Sequence, residues 1–359
     1  MRAAAPKRRP PPRKAEISVV AVDFTDLRLS LWDDPDQRDE LHSWVRACLA
    51  ERGERLLADP PRVRVRPWST TARFSSTAGP VWFKASAPGG EFEAALHGAL
   101  YTWVPGSVLT PLGMDVKRGW SLLPGAGVPL REQMASIDDF AVWEAILGAY
   151  SETQRVLAGR VRDLLALDVP DLRPAALGRL LDGFLADPGV TAALGDGADL
   201  LLRHRSAFDA ECKALDDSGL PPSLDHSDLH VGNVFVLDGR YRFADWGDAV
   251  VGHPFFSLLV PLRIAVRELN ADTRTRQRLR DAYLEPWTES HPASALRAEV
   301  PRATRLAALS RSLAWSRAFC ELRSAVAGDQ HREIAALLRG MISDITAAED
   351  GPDADAGTR

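Results

Sequence analysis

The sequence predicts an α+β chain of two unequal lobes, a small antiparallel sheet carrying one helix and then a larger, mainly helical part. Two patterns carry that expectation. Between residues 59 and 125, β-branched and aromatic stretches alternate with turn residues in the order strand, strand, helix, strand, strand; after Gly125 the composition changes to Ala, Leu and Arg at helical spacing. The chain is long enough for both parts: 359 residues allow two domains of about 100 to 200 residues each, and 45% hydrophobic content supplies their cores.

Residues 1–16 form a basic arm with Arg2, Lys7, Arg8, Arg9, Arg13 and Lys14, and Pro6, Pro10, Pro11 and Pro12 deny it a helix, so it is expected to be disordered. No apolar stretch follows these charges, and the arm does not read as a secretory signal. Residues 17–58 carry two short strand-like stretches, Ile17–Val22 and Leu27–Leu31. An amphipathic helix is then expected over Arg38–Leu57, with Leu41, Val45, Leu49 and Leu56 on its apolar face, the whole capping the small lobe. In the lobe itself, 59–125, strands are expected at Val63 and Val65, over Trp68–Phe74 and over Val81–Phe83, with Ala78-Gly79-Pro80 turning a hairpin. A helix over Glu91–Trp103 and two strands around Lys117-Arg118-Gly119, ending in Leu122-Leu123-Pro124-Gly125, complete it.

The larger lobe, 126–348, reads as helices over Ile137–Leu167, Ala175–Leu185 and Ala198–Leu215, and again from Phe255 to about Ala348. One hairpin interrupts them: Val234–Leu237 and Tyr241–Phe243 around Asp238-Gly239-Arg240. Residues 349–359 form an acidic tail expected to be disordered.

Composition narrows the partners. Lys plus Arg is 44 against 49 for Asp plus Glu, net −5, which gives no electrostatic reason for nucleic acid or an anionic membrane. The longest apolar run, Phe255–Val266, is broken by Ser257, Pro261 and Arg263 and falls short of the roughly 20 residues that span a bilayer. Cys48, Cys212 and Cys320 are odd in number and far apart, which suggests neither a disulfide framework nor a zinc ribbon and fits a reducing cytoplasm. Nothing in the sequence sets an oligomeric state.

The chemistry-bearing stretch is Leu224-Asp225-His226-Ser227-Asp228-Leu229-His230-Val231-Gly232-Asn233, followed by the hairpin and Asp245-Trp246-Gly247-Asp248. It reads His-x-Asp-Leu-x-x-x-Asn, strand, strand, Asp-x-Gly, the order that phosphoryl transfer by the protein-kinase template requires. The first Asp accepts the attacking hydroxyl's proton, the Asn turns back toward a metal ion, and the hairpin returns the second Asp to that metal from the other side. Asn occurs only at 233 and 270, and one of the two stands where the template needs it. The same template requires a lysine on an apolar upstream strand, and Val81-Trp82-Phe83-Lys84-Ala85 supplies it in a chain with only five lysines. Its carboxylate partner is expected from the next helix, where Glu93 is preferred to Glu91 because it lies deeper between apolar neighbours. Leu122 and Leu123, where sheet gives way to helices, are placed to offer adenine a hinge.

On these residues the chain resembles the aminoglycoside phosphotransferase and choline kinase superfamily, small-molecule kinases on the protein-kinase fold, over roughly residues 60–345. The resemblance implies Asp228 as catalytic base, Asn233 and Asp245 as Mg²⁺ ligands, Lys84 as the phosphate-binding lysine and Glu93 as its partner. ATP, or GTP, would be the donor, and the acceptor a hydroxyl of an aminoglycoside-like antibiotic, a sugar or an amino alcohol.

Three departures accompany the resemblance. Ser227 stands where protein kinases have Arg, and no Ala-Pro-Glu or long activation segment follows Asp245, which favours a small acceptor. The segment Pro67–Arg73 lacks phosphate-loop glycines, so Ser69 and Thr70, with Thr71, are the expected phosphate contacts. Finally, Gly252-His253-Pro254 is followed by Phe255-Phe256-Ser257 where the family often has Gly-Asp-Pro and another Asp, so support for the catalytic loop must be arranged differently. Asp225 and Asp248 read as solvated or capping carboxylates, and His226 as a packed, hydrogen-bonded histidine. Two alternatives stand beside the kinase reading: a catalytically inactive nucleotide binder, suggested by the missing glycines, and a zinc hydrolase if His226, Asp228 and His230 faced one side of a strand.

Overall fold

The computed structural model describes residues 32–66, 68–125, 129–318 and 325–349. The basic arm, the stretches Ile17–Val22 and Leu27–Leu31, Cys320 and the tail beyond Glu349 lie outside the described residues. The sheet of the small lobe has five strands, β1 (Arg62–Arg66), β2 (Ser69–Ser76), β3 (Gly79–Ser86), β4 (Gly113–Asp115) and β5 (Trp120–Pro124). They pair antiparallel in the order β1-β2-β3-β5-β4.

Alternation along these strands gives the sheet two faces with different work. On one face Ala72, Phe74, Val81, Phe83, Ala85, Trp120 and Leu122 are buried with Leu41, Val45, Cys48 and Leu49 of α1 (Pro35–Ala50). The other face presents Trp82, Lys84 and Ser86 to a cleft between the lobes. Helix α1 is shorter than the sequence pattern suggested, and it starts earlier. The Asp34 carboxylate accepts from the N–H groups of Asp36 and Gln37, with Pro35 in the first turn, so the helix opens there. It stops at Ala50, where the Glu54 N–H folds back to the Leu49 carbonyl, and Leu56 instead bridges to Ser76 at the sheet.

Helix α2 (Phe92–Trp103) ties the lobes together, because Phe92, Leu96 and Leu100 are buried in the core of the helical lobe. That lobe contains α3 (Leu130–Gln133), α4 (Phe140–Leu157), α5 (Val161–Ala166), α6 (Pro174–Leu185), α7 (Pro188–Leu194), α8 (Asp196–Arg203) and α9 (Arg205–Asp216). Beyond the hairpin come α10 (Leu259–Arg267), α11 (Thr273–Leu284), α12 (Ala293–Ala318) and α13 (Ala325–Glu349). The one helix expected over Ala198–Leu215 is two, broken at His204, and α7 was not legible as a separate element. None of the described helices is long and apolar enough to cross a membrane.

Four short strands hold the chemistry-bearing loop. The expected hairpin is β7 (Val234–Leu237) against β8 (Arg240–Phe243), and outside it β6 (Ser223–Asp225) pairs with β9 (Val250–Gly252). The outer pair is too short to read from sequence. It is fixed from below by α4, whose Tyr150 hydroxyl and Gln154 side-chain amide donate to the Leu224 carbonyl at 2.9 and 2.7 Å. Both ends of residues 226–249 are thereby pinned to the core.

Candidate functional site

A cavity of about 730 Å³ lies between the lobes, and the polar residues singled out in the sequence converge on it from separate elements. Lys84 reaches down from β3, placing Nζ 2.8 Å from Glu93 Oε1 on α2 and 2.6 Å from Asp245 Oδ1 after the hairpin. The Glu93 carboxylate also accepts from the Ser86 hydroxyl at 2.7 Å and the Trp246 N–H at 3.0 Å. Glu93 therefore joins strand, helix and Asp-Trp-Gly turn, whereas Glu91 precedes the helix and makes no ion pair with Lys84 among the described residues. Burial disfavours the Lys84 ammonium, yet the two carboxylates outweigh it and raise its affinity for the proton. The same ammonium holds Asp245 below the usual carboxylate range.

Asp245 adopts φ +67°, a left-handed conformation rare for a non-glycine residue, and Ser227 adopts φ +59°. Both bends aim the loop. His226, fully buried, bonds the Ala244 carbonyl through Nε2 at 3.0 Å and packs 4.7 Å from the Trp246 ring. The Asn233 amide nitrogen lies 3.0 Å from the Asp228 carbonyl and 3.3 Å from Asp228 Oδ2, which leaves the amide oxygen to the cleft. The turn between them closes on His230, whose Nδ1 accepts the Gly232 N–H at 2.9 Å; a Cβ at 232 would stand 2.7 Å from that ring and push it aside.

Asp228 is a quarter exposed and is held by partners the sequence did not reveal. Arg311 of α12 donates to Asp228 Oδ1 at 2.8 Å and, from its other terminal nitrogen, to Asp248, while His230 Nε2 lies 3.5 Å from Asp228 Oδ2. Burial works to raise the Asp228 pKa, but Arg311 and His230 overcome it and hold the carboxyl well below the usual range. Arg311 lies more than eighty residues downstream in a helix with no motif; its guanidinium also stands 5.6 Å from the Trp315 ring.

Two expectations about carboxylates are corrected. Asp225 is not solvated: it is 2% exposed and accepts from the Ser227 N–H at 2.9 Å, the Ser227 hydroxyl at 2.7 Å and the Ser257 hydroxyl. This is how the loop is supported with serine at 257. Asp248 is not free either, being the second partner of Arg311.

Strand parity divides the remaining residues. Ser69 pairs with Ser86 and Thr71 with Lys84, so these hydroxyls share the cleft face; Thr70 pairs with Ala85 and is fully buried away from it. Leu123 pairs with Trp82 and lines the cleft, whereas Leu122 pairs with Phe83, is fully buried and has its carbonyl bonded to the Leu112 N–H at 2.7 Å. Thr70 and Leu122 are thus core residues. Arg64 and Arg66 of β1, which sequence reasoning passed over, line the mouth beside Ser69, and burial together with Arg64 pulls Arg66 below the ordinary guanidinium value. The alternation Arg-Val-Arg-Val-Arg was the available signal.

The zinc arrangement does not form. The stretch is a loop with a 3₁₀ turn, and among the described residues no three of His, Cys, Asp and Glu gather as a metal-holding group.

A family model described as the phosphotransferase enzyme family matches residues 64–296, well over half of the chain. The chain belongs to the phosphotransferase enzyme family. Among solved structures, this family member is similar to an ethanolamine kinase of Plasmodium vivax at 11% identity, TM-score 0.58, covering 89% of this chain and 94% of that one. It is similar also to a macrolide 2'-phosphotransferase of Brachybacterium faecium, solved as apoenzyme, at 18% identity and TM-score 0.52, covering 82% and 97%. A third, an amicoumacin kinase in complex with AMP-PNP, Ca²⁺ and Ami, gives 13% identity, TM-score 0.50 and coverage of 85% and 93%. No curated protein matches. At these identities the solved structures establish the fold, a bilobal kinase-like one, for this family member.

Proposed function

We infer that the protein is a kinase that transfers the γ-phosphoryl group of ATP, with Mg²⁺, to a hydroxyl of a small molecule. The observation that carries this reading is the meeting of Lys84, Glu93, Asp245, Asn233 and Asp228 around one cavity, each held by another of the set. The apolar end of the cavity, with Leu109, Leu123, Pro129 and Phe235, suits an adenine ring. Lys84, held between Glu93 and Asp245, and Arg66, which makes no ion pair among the described residues, would take phosphates, with the Ser69 and Thr71 hydroxyls replacing a glycine loop.

Asp245 and Asn233 fit a hard cation: a half-exposed carboxylate and an outward amide oxygen, both oxygen donors, line the same cavity. Mg²⁺ bound there would neutralise charge on the transferring group. The complex of the amicoumacin kinase with a nucleotide analogue and Ca²⁺ supports a nucleotide with a divalent cation here.

In the reaction, Asp228 accepts a hydrogen bond from the acceptor hydroxyl and takes its proton as the oxygen bonds to the γ-phosphorus. The bond from that phosphorus to the bridging oxygen breaks, and ADP leaves. Held low by Arg311, the carboxylate is a weak base, so its main work is to orient the hydroxyl in line. Only eight residues separate Asp245 from the 3₁₀ turn that begins at Pro254, which leaves no peptide-docking segment and supports a small acceptor.

The test is nucleoside diphosphate release from ATP and from GTP, with Mg²⁺, across aminoglycosides, macrolides, sugars and amino alcohols, beside Asp228→Asn. Acceptor-dependent release that Asp228→Asn lowers by about 10² to 10⁴ supports the reading. Nucleotide binding without transfer to any acceptor would favour a catalytically inactive nucleotide binder.

A further inference from the structure

Adjoining the larger cavity, a second pocket of about 230 Å³ opens between α10, α12 and α13. Asp228, His230, Arg311 and Trp315 are common to both cavities, so a group in the second pocket sits beside the same carboxylate that faces the first. The charges around it are Arg263, Arg267 and Glu268 of α10, Arg311 of α12 and Glu333 of α13. Their pairing is uneven. Arg311 is answered twice, by Asp228 and Asp248. Arg263 is answered by nothing within ion-pair distance among the described residues, although it is half-buried.

Arg305 and Arg302 of α12 are matched, to Glu211 at 2.7 Å and Glu299 at 2.9 Å, and Arg317 and Arg242, which pair with no carboxylate among the described residues, donate to the backbone carbonyls of Asp248 and Gly106. Arg263 instead faces like charge. Burial lowers its pKa first, Arg267 and Arg311 push the same way, and Glu333 only partly opposes them. Arg263 and Arg267 stand one helical turn apart, where like charges repel and an anion between them relieves the repulsion. Arg267, Glu268 and Glu333 are exposed and form the rim.

We propose that this second pocket takes an acceptor that carries an anionic group, a carboxylate or a phosphate, beside its reacting hydroxyl, with Arg263 as the anchor and Arg267 at the rim. The guanidinium fork suits either oxyanion bidentately, and the adjoining Asp228 would then meet the hydroxyl. The inference rests on the phosphoryl-transfer reading of the larger cavity. It departs from an amino alcohol or aminoglycoside, whose positive charge would find in Arg263 a repulsive neighbour.

Arginine labelling with phenylglyoxal on the full chain, read by peptide mass spectrometry, tests it residue by residue. Inorganic phosphate, D-glycerate and choline serve as probes. Phosphate or glycerate at ten times its Kd should slow labelling of Arg263 on the order of tenfold, and choline should not. Protection by phosphate alone would mark a phosphorylated acceptor, and by glycerate alone a carboxylate. Equal protection by choline, or none by either anion, would overturn the proposal. A second readout is the rise in Tm that the protecting anion gives in saturating Mg²⁺-ADP, expected to vanish in Arg263→Gln and return in part in Arg263→Lys; an unchanged rise in Arg263→Gln would also overturn it. Stabilisation by Mg²⁺-ATP is measured on the same preparation. Its absence with Arg263 still protected would sink the donor-site reading and leave the anion pocket standing.

Discussion

Lys84, Glu93, Asn233 and Asp245 come from one strand, the first turn of one helix and one loop with its hairpin, and each is bonded to another of the four or to Asp228. Arg263, Arg267, Arg311 and Trp315 come from two late helices, and of these only Arg311 reaches a carboxylate of the loop. The first group is tightly cross-linked and the second loosely so. On the proposed kinase reading, phosphate and metal would present the same geometry in every turnover and reward a fixed frame, whereas an acceptor would be recognised by whatever charges the neighbouring helices offer.

That contrast accounts for what was legible. The spacing from Asp228 to Asn233 and Asp245 is set by local chain geometry, and lysine on an apolar strand is conspicuous in an arginine-rich chain, so those residues could be named. Arg311 could not, because its link to Asp228 spans 83 residues and sits in a helix whose pattern records only packing. Thr70 and Leu122 failed for another reason. Each is one residue away from a cleft-facing neighbour, and parity depends on pairing partners that the sequence did not align. The burial of Asp225 was hidden by its polarity, since only Ser227 and Ser257 together make a buried carboxylate tolerable there.

The strongest way to break the comparison is at the residue the two sides share. Asp228→Asn should lower turnover by about 10² to 10⁴ while leaving stabilisation by Mg²⁺-nucleotide nearly intact; a loss of only a few-fold would remove Asp228 from the chemistry. Next comes the frame beneath the donor side. Asp225→Ala strands the Ser227 N–H and two hydroxyls, and chemical denaturation should show a loss of about 3 kcal/mol, against under 1 kcal/mol for a change at exposed Glu268.

The junction of the lobes is a smaller lever. A Cβ on Gly89 would lie 2.2 Å from the Arg317 carbonyl near the end of α12, so Gly89→Ala must separate the small lobe from that helix. About 1 to 3 kcal/mol of stability should be lost, together with nucleotide affinity. A substitution without either effect would show that the lobes do not meet there.

Smallest near neutral pH is the response to acid. Burial pushes His253 down to about 3, so its imidazole stays neutral in the folded protein while the unfolded chain protonates near 6.5. Stability is therefore full above about pH 6.5 and falls as the pH drops toward 3, at about 1.4 kcal/mol per unit for His253 alone. His253→Asn should flatten Tm between pH 7 and 5; an unchanged slope would mean that this histidine is not buried neutral.

The central claim is that Lys84, Asn233 and Asp245 form one Mg²⁺-nucleotide site, and thermal titration with ATP, with and without Mg²⁺, on the wild type and Asp245→Asn meets it most directly. The account predicts a Mg²⁺-dependent stabilisation of about 2.7 kcal/mol at a hundredfold excess over Kd, lost in Asp245→Asn. Stabilisation that is independent of Mg²⁺, or that survives in Asp245→Asn, would contradict it.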